Sequence, residues 1–292
     1  MIKNIEAKTI LSTIKNGPDK YFGLSYNMNL YRGCQHGCIY CDSRSNCYGI
    51  ENFSDILIKK NAIKLLQKEL KSKKNIGTIG TGSMNDPYMP IEKELCITRK
   101  ALEVINLYKF PIHIITKGDL IARDSDIIKE INKVYAAASI TITTANDSLA
   151  SIIEPNAPSP SKRFKAIEKL SKDGIYTGIM LAPVLPYITD NYDNIEEIVK
   201  RGKDAGAKYI IAWFGMTIRE GQREYYFQHL NRNFPGLKER YVNNYKNSYF
   251  CPAPNYEGLY SKFKELCYKE NIMTKMNFYK QIKPVQLSMF KD

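Results

Sequence analysis

The sequence predicts an α/β fold: a partial (β/α)6 barrel of parallel strands followed by a helical C-terminal extension. Six apolar or alternating runs are separated by amphipathic segments of helical period, which is the pattern of right-handed βα units. Six units form an incomplete barrel more naturally than they close the eight-unit one. From Arg219 onward the pattern is helical and rich in tyrosine, without clear strands.

The predicted strands are short, and several end in glycine, proline or polar residues. They are "LSYNMNLY", "IGTIGTG", "FPIHIITKGD", "VYAAASITITT", "GIYTGIMLAPVLP" and "AKYIIAWFG". Helices are predicted over 55–72, 93–107, 124–133, 161–172 and 191–205. Ser161 is the expected N-cap of the fourth helix, and Gly174 and Gly206 follow the last two. We expect an N-terminal extension over 1–24, the barrel over 25–218, and the helical extension and tail over 219–292.

The composition indicates an ordinary soluble globular protein, with 43% hydrophobic and 25% charged residues in 292 positions. No apolar run reaches the roughly 18 residues of a membrane span. The first residues, "MIKNIEAKTI", lack the apolar core of a secretory signal. A cytoplasmic location is therefore expected, where clustered cysteines act as metal ligands or catalysts more often than as disulfides.

The formal net charge is +13. A balance this basic is typical of proteins with a polyanionic partner such as nucleic acid. The alternative is a lysine-rich surface without a specific partner, because the lysines are spread over many predicted helices and form no single basic block.

Three of the seven cysteines lie in "YRGCQHGCIYCDSRS", at Cys34, Cys38 and Cys41. Thiolates at this spacing can bind one face of a compact metal centre. His36 could complete a zinc site, and Cys47 could complete a four-cysteine cluster, although neither spacing is typical. The third alternative is a 4Fe–4S cluster with one open iron. The loop follows the first predicted strand, at the barrel end where active sites lie.

The cysteine spacing, with Tyr40 before the last cysteine, resembles the signature of the radical S-adenosylmethionine (SAM) enzymes. Four further stretches narrow the resemblance to the spore photoproduct lyase-related branch, often described as DNA repair photolyase-like, over residues 25–214. They are "NLYRGCQHGCIYC", "GSMNDPYMPIE", "IITKGD" and "EPNAPSPSKRF".

This resemblance implies that Cys34, Cys38 and Cys41 bind three irons of a 4Fe–4S cluster, and that the fourth iron binds the amino and carboxylate groups of SAM. An electron donor such as flavodoxin or ferredoxin would reduce the cluster, and cleavage of SAM would give a 5′-deoxyadenosyl radical.

The family also implies contacts to SAM. An aromatic side chain beside the last ligand packs near the adenine, a polar residue follows the second strand, and a lysine pairs with the carboxylate. Two threonines reach the ribose or carboxylate, and a backbone group after the fifth strand bonds the adenine. In that order they are Tyr40, Ser83, Lys117, Thr141, Thr143 and Ala182. Each also has an ordinary structural interpretation as a core, turn or strand residue.

The sequence departs from the spore enzyme at two positions. That enzyme has a hydrogen-donating cysteine just after the second strand and a tyrosine after the last cluster cysteine. Here "GTGSMND" has no cysteine, and Asp42 occupies the second position. We therefore do not expect true photoproduct lyase activity. Cys96 is expected to be buried in a helix, and Glu154 and Arg163 are expected to form a structural ion pair.

The C-terminal stretch Gln286–Phe290, "QLSMF", resembles the bacterial sliding-clamp binding pentapeptide. An extended tail could place its apolar residues in a groove of such a partner. The alternative is a tail that folds back over the barrel.

The leading hypothesis is a radical SAM enzyme acting on DNA or another nucleic acid. A second hypothesis keeps the same chemistry with a small molecule or peptide as substrate. A third is a non-catalytic iron–sulfur protein that binds nucleic acid or a sliding clamp.

Overall fold

The computed structural model describes residues 1–15, 17–50 and 52–281. The strands in these residues share one large sheet and one small one. They are β1 (Ile2–Ile5), β2 (Leu11–Thr13), β3 (Leu24–Met28), β4 (Tyr31–Arg32), β5 (Ile56–Lys59), β6 (Thr78–Gly80), β7 (Ile112–Thr116), β8 (Ala136–Thr141), β9 (Tyr176–Val184), β10 (Tyr209–Thr217) and β11 (Phe250–Pro252).

The large sheet has the order β2-β3-β6-β7-β8-β9-β10-β11. Its six central strands, β3 and β6 to β10, are all parallel to one another. The edge strands β2 and β11 are antiparallel. The predicted fold class is therefore confirmed, as a mostly parallel α/β sheet of six βα units.

The helices are α1 (Ala62–Ser72), α2 (Glu92–Leu95), α3 (Ile97–Leu107), α4 (Ser125–Ile131), α5 (Asp147–Ile153), α6 (Pro160–Lys172), α7 (Tyr192–Asp204), α8 (Gln222–Asn233), α9 (Leu237–Tyr245) and α10 (Tyr256–Lys269). Helices α1 to α7 lie in the connections between the parallel strands, and α8 to α10 follow the last of these strands. Most of the helices' apolar faces pack with the strands in one core, which includes Leu66, Ile105, Ile128, Ile167 and Ile198. Helices α5, α8 and α9 contribute to a second buried cluster. Among the described residues, no helix has the length and apolar character needed to cross a membrane.

The predicted helix over 55–72 is wrong at its start. Residues Ile56–Lys59 form β5, and helix α1 begins only at Ala62. Strand β5 pairs in parallel with β1 and antiparallel with β4. The sequence separation of β1 from β5 explains the error, because a local helical period cannot reveal a partner more than fifty residues away. The division of the chain at residues 24 and 218 stays a prediction.

Four further expectations need correction. The helix predicted over 93–107 is interrupted at Cys96, whose φ of 51° is left-handed, and Cys96 is partly exposed rather than buried. Helix α6 is preceded by Ser159 as its N-cap, with Pro160 as its first residue, so Ser161 lies inside the helix. Strand β11 lies in the region where no strand was expected.

We predict that Gly178→Ala lowers the free energy of unfolding by roughly 1–3 kcal/mol, as overpacking of a core does. A Cβ at Gly178 would overlap the ring of Tyr209, which is fully buried and held by Ser139. Chemical denaturation measures the change.

Gly202→Ala is the matched control. Its added Cβ would meet the flexible end of Ile179 at 2.7 Å, and alanine is a better residue than glycine inside a helix. This variant should be close to the parent protein in stability. Equal stability of both variants would show that the Tyr209 ring moves at no cost.

Candidate functional site

The cysteine loop, residues 33–42, leaves the end of β4 and is attached to distant parts of the chain. The Cys34 amide donates to the Phe53 carbonyl at 3.3 Å, and the Ile39 amide donates to the Ile153 carbonyl at 3.0 Å. Gly33 has a φ of 80°, and a Cβ there would overlap the carbonyl oxygen of Asp55. Glycine is therefore needed for the turn into the loop.

The three thiols of the loop line one cavity of about 100 Å³ at the carboxyl ends of the parallel strands. Within the described ranges, no three His, Cys, Asp or Glu side chains lie close enough together to hold a single metal ion. Each thiolate of a cubane cluster binds a different iron, so the three thiols of such a site need not converge on one metal ion.

Burial raises the pKa of the Cys34 and Cys38 thiols. For Cys34, the nearby Asp86, Cys38 and Cys41 raise the pKa further. For Cys38, burial outweighs the opposing charge of Lys117 and raises the pKa to about 12. Thiolates in such surroundings need a cationic partner. The iron atoms of a cluster would supply it.

His36 is not placed as a cluster ligand. Its Nε2 lies 3.1 Å from Asp86 Oδ2, and both side chains are nearly fully buried. Asp86 also accepts hydrogen bonds from the Lys117 amide at 2.6 Å and from the Thr116 hydroxyl at 2.5 Å. Burial alone would raise the pKa of Asp86, but His36 and these donors hold it below its usual range. The pair thus attaches the cysteine loop to the end of β7.

A second buried carboxylate contacts the loop through Tyr40. Glu154 forms the expected ion pair with Arg163, with 2.5 Å between Oε2 and Nη2, and neither side chain is exposed. Glu154 also accepts hydrogen bonds from the Tyr40 hydroxyl and, at 3.0 Å, from the Thr143 hydroxyl. Burial opposes ionisation, but Arg163 and Lys117 keep the pKa of Glu154 below its usual value.

A larger cavity of about 360 Å³ adjoins the cysteine cavity. The two share Cys41, Ser43, Gly82 and Lys117. A Cβ at Gly82 would overlap the Ile115 carbonyl, so glycine is needed at this junction. The volume is within the ~300–1,000 Å³ typical of small-molecule sites.

Most of the residues expected to contact SAM lie around these cavities. The larger cavity is lined by Tyr40, Ser83, Lys117 and Ala182, and Thr141 lines the cysteine cavity. Thr143 lines neither, since it lies beyond the end of β8 and bonds to Glu154. As contacts to a cofactor, all six stay predictions.

Lys117 occupies the junction of the two cavities. Its Nζ lies 5.5 Å from the centroid of the Tyr40 ring, and within the described part of the chain no hydrogen bond or ion pair involves this atom. Burial lowers the pKa of Lys117, but the neighbouring Cys38, Glu154 and Asp86 outweigh it and raise the pKa. The surroundings of Lys117 therefore favour its charged form, and its side chain lines both cavities.

The remaining cysteines are away from both cavities. Cys47 is exposed, and its Sγ lies 3.2 Å from Arg219 Nη1. Cys96 lies 3.5 Å from Arg123 Nη1, while Cys251 and Cys267 are buried in the core. The Gln286–Phe290 stretch lies outside the described residues.

Sequence reasoning missed the positioning roles of His36, Asp86 and Gln222. The Gln222 amide donates to the Tyr40 carbonyl at 2.8 Å. His36 lies in "QHGC" and Asp86 lies in "NDPY", but no local sequence pattern shows that the two side chains contact each other. Gln222 is separated from Tyr40 by more than 180 residues and gives no sequence signal.

The chain is similar in sequence to two known proteins. An uncharacterized protein of Methanocaldococcus jannaschii is 30% identical over 238 residues, which cover 80% of this chain and 86% of that protein. A radical SAM Nalpha-GlyT isomerase of Pseudomonas phage M6 is 25% identical over 181 residues, 62% of this chain and 37% of that enzyme.

The solved structure of a spore photoproduct lyase mutant has the same fold, with a TM-score of 0.69 at 14% identity over 93% of this chain and 81% of that chain. The sequence itself matches the Radical SAM superfamily over residues 28–202. This range includes the cysteine loop, the whole lining of the cysteine cavity, and the lining of the larger cavity except for its residues on β10. The chain belongs to the radical SAM superfamily.

Proposed function

We propose that this protein holds a 4Fe–4S cluster at Cys34, Cys38 and Cys41, binds SAM in the adjoining cavity, and acts on a nucleic-acid substrate. The observation that carries the proposal is the meeting of the two cavities at Cys41 and Lys117. A thiol-lined cavity opens there into one large enough for a small molecule.

When bound and reduced, by a donor such as flavodoxin or ferredoxin, the cluster would supply the electron that cleaves SAM to a 5′-deoxyadenosyl radical. The chain supplies position and charge. Lys117 offers a cation for the carboxylate of SAM, and Tyr40 offers an apolar wall whose hydroxyl is fixed on Glu154. Gly82 lets the backbone approach the ligand closely.

Two observations support a nucleic-acid substrate. The net charge of +13 suits a polyanion. A protein of the same fold, spore photoproduct lyase, has been solved with bound AdoMet and a dinucleoside spore photoproduct. At 14% identity this similarity concerns the fold, so the nucleic-acid target is our inference from charge and architecture together.

The site does not favour photoproduct reversal. Among the described residues, the only thiols lining the two cavities are the three in the cysteine loop. Asp42, which stands where the spore enzyme has tyrosine, accepts hydrogen bonds from Tyr48 and Thr217. The Ser and Thr hydroxyl groups that line the cavities cannot replace a thiol as hydrogen-atom donor, because an O–H bond is much stronger than an S–H bond.

The central test is anaerobic reconstitution with dithionite and SAM, followed by measurement of 5′-deoxyadenosine. We expect cleavage that rises when DNA is added and does not rise with a mixture of metabolites or peptides. An oligonucleotide carrying the spore photoproduct should not be converted cleanly to thymines. Stimulation by metabolites or peptides alone would replace the nucleic-acid substrate with a small molecule or peptide.

The cluster assignment predicts about four irons per chain after reconstitution. Changing Cys34, Cys38 or Cys41 to alanine should remove the visible absorbance and most of the iron. Cys47→Ala and Cys96→Ala are matched controls that should keep both, because neither thiol lines the cavity. Stoichiometric zinc that excludes iron, or loss of the cluster in Cys47→Ala, would contradict the assignment.

The role of Lys117 predicts that Lys117→Met weakens SAM binding while the iron content stays unchanged. Loss of a hydrogen bond between charged groups costs about 1.5–3 kcal/mol. Calorimetric titration of the reconstituted protein measures the change, and Lys93→Met, an exposed lysine outside both cavities, is the control. Equal affinity in both variants would mean that Lys117 does not contact the cofactor.

A further inference from the structure

Trp213 is the only tryptophan in the chain, and it lies at the rim of the larger cavity. Its side chain is 48% exposed, although it belongs to the central strand β10. The cavity lining also includes Ala182 and Pro183 of the neighbouring strand β9. A large aromatic side chain left half exposed beside a functional cavity is more typical of a contact surface than of a core.

The strand pairing is irregular at Trp213, and this irregularity changes the direction of its side chain. The ladder between β9 and β10 pairs Ala212 with Leu181 and Phe214 with Val184, so its register shifts at Trp213. Such irregularities redirect side chains and are frequent beside active sites. Phe214 points into the core, where it is 1% exposed.

The indole ring is also supported from one side. The Phe250 ring packs against it edge to face, with 5.9 Å between the centroids and 87° between the planes. Phe250 belongs to β11, which pairs with β10 at Thr217. The contact restricts the ring, so less entropy is lost when a planar ligand binds to its exposed surface.

Arg219 brings positive charge to Tyr249, the residue that precedes Phe250 in the chain. The Arg219 guanidinium lies 4.8 Å from the centroid of the Tyr249 ring, and Tyr249 is 52% exposed. Asp42 also faces this guanidinium, with 3.4 Å between Oδ1 and Nε. Exposed aromatic rings next to arginine are the combination used to bind single-stranded nucleic acid, where bases stack and phosphates meet cations.

We propose that Trp213 is a stacking platform for one base of a single-stranded nucleic acid, with Arg219 contacting the sugar–phosphate backbone. This inference rests on the proposed nucleic-acid function and names the group that receives the base. A base stacked on Trp213 would lie at the mouth of the cavity lined by Tyr40, Cys41 and Lys117.

The single tryptophan makes the test specific. The full-length, reconstituted protein is titrated with a short single-stranded oligodeoxynucleotide. Tryptophan fluorescence is excited at the red edge of its absorption, and the emission intensity is recorded. Stacking should quench the emission of Trp213. In a parallel measurement, the fluorescence anisotropy of a labelled oligonucleotide reports binding without reference to the tryptophan.

Trp213→Ala should weaken oligonucleotide binding about 5- to 150-fold, which corresponds to the ~1–3 kcal/mol of one base–aromatic stack. Trp213→Phe should lie between this variant and the parent protein, because it keeps an aromatic face. Tyr268→Ala removes an aromatic side chain that is 89% exposed on α10, away from the cavity, and should bind normally. Circular dichroism and iron content confirm that each variant is folded and loaded.

The possible failures are distinguishable. Normal oligonucleotide binding by Trp213→Ala, with no quenching in the parent protein, would overturn the role of Trp213 and leave the nucleic-acid function standing. Quenching by SAM alone, with no further effect of the oligonucleotide, would assign Trp213 to the cofactor and overturn the proposal. Absence of oligonucleotide binding by anisotropy would refute the nucleic-acid function itself.

Discussion

Two buried carboxylates hold the cysteine loop in place, and the arrangement of the site depends on this constraint. Asp86 holds the loop through His36, and Glu154 holds it through Tyr40. A buried carboxylate is costly unless hydrogen bonds and a counter-charge surround it. For Glu154 the counter-charge is Arg163, which also donates to the Pro158 carbonyl at 2.7 Å and to the Thr141 carbonyl at 3.0 Å. The position of the thiols is thus fixed by partners from separate elements, and removing one partner would leave an uncompensated charge in the core.

The same two carboxylates set the electrostatics of the cavity. Both lie close enough to Lys117 to favour its charged form, and its pKa is raised in spite of burial. Lys117 can therefore present a cation at the junction of the two cavities, which is otherwise lined by Cys41, Ser43 and Gly82.

The fold was largely predictable from the sequence, and the site only in part. The alternation of strands and helices is a local signal, and the cysteine spacing is a local motif. The three-stranded sheet of β1, β5 and β4 was missed because its pairing joins distant segments, as was β11, three residues long at the sheet edge. The break at Cys96 was missed because a left-handed non-glycine residue has no sequence signature. His36 and Asp86 were missed as a pair for the same reason as β5: each has a plain local interpretation, and only the tertiary structure brings them together.

The C-terminal segment is built into the site rather than attached beside it. Gln222 of α8 donates to the Tyr40 carbonyl, and the Asn46 amide donates to the Glu220 carbonyl at 3.1 Å. Thr217 donates to Asp42 at 3.0 Å. These bonds join the far end of the cysteine loop to the end of β10, the strand that carries Trp213. The rim of the larger cavity and the thiol-bearing loop are therefore one connected structure. The strand that would contact a substrate at the rim is hydrogen-bonded to the loop that carries the three cysteines. Displacing the strand or the loop therefore requires breaking these hydrogen bonds.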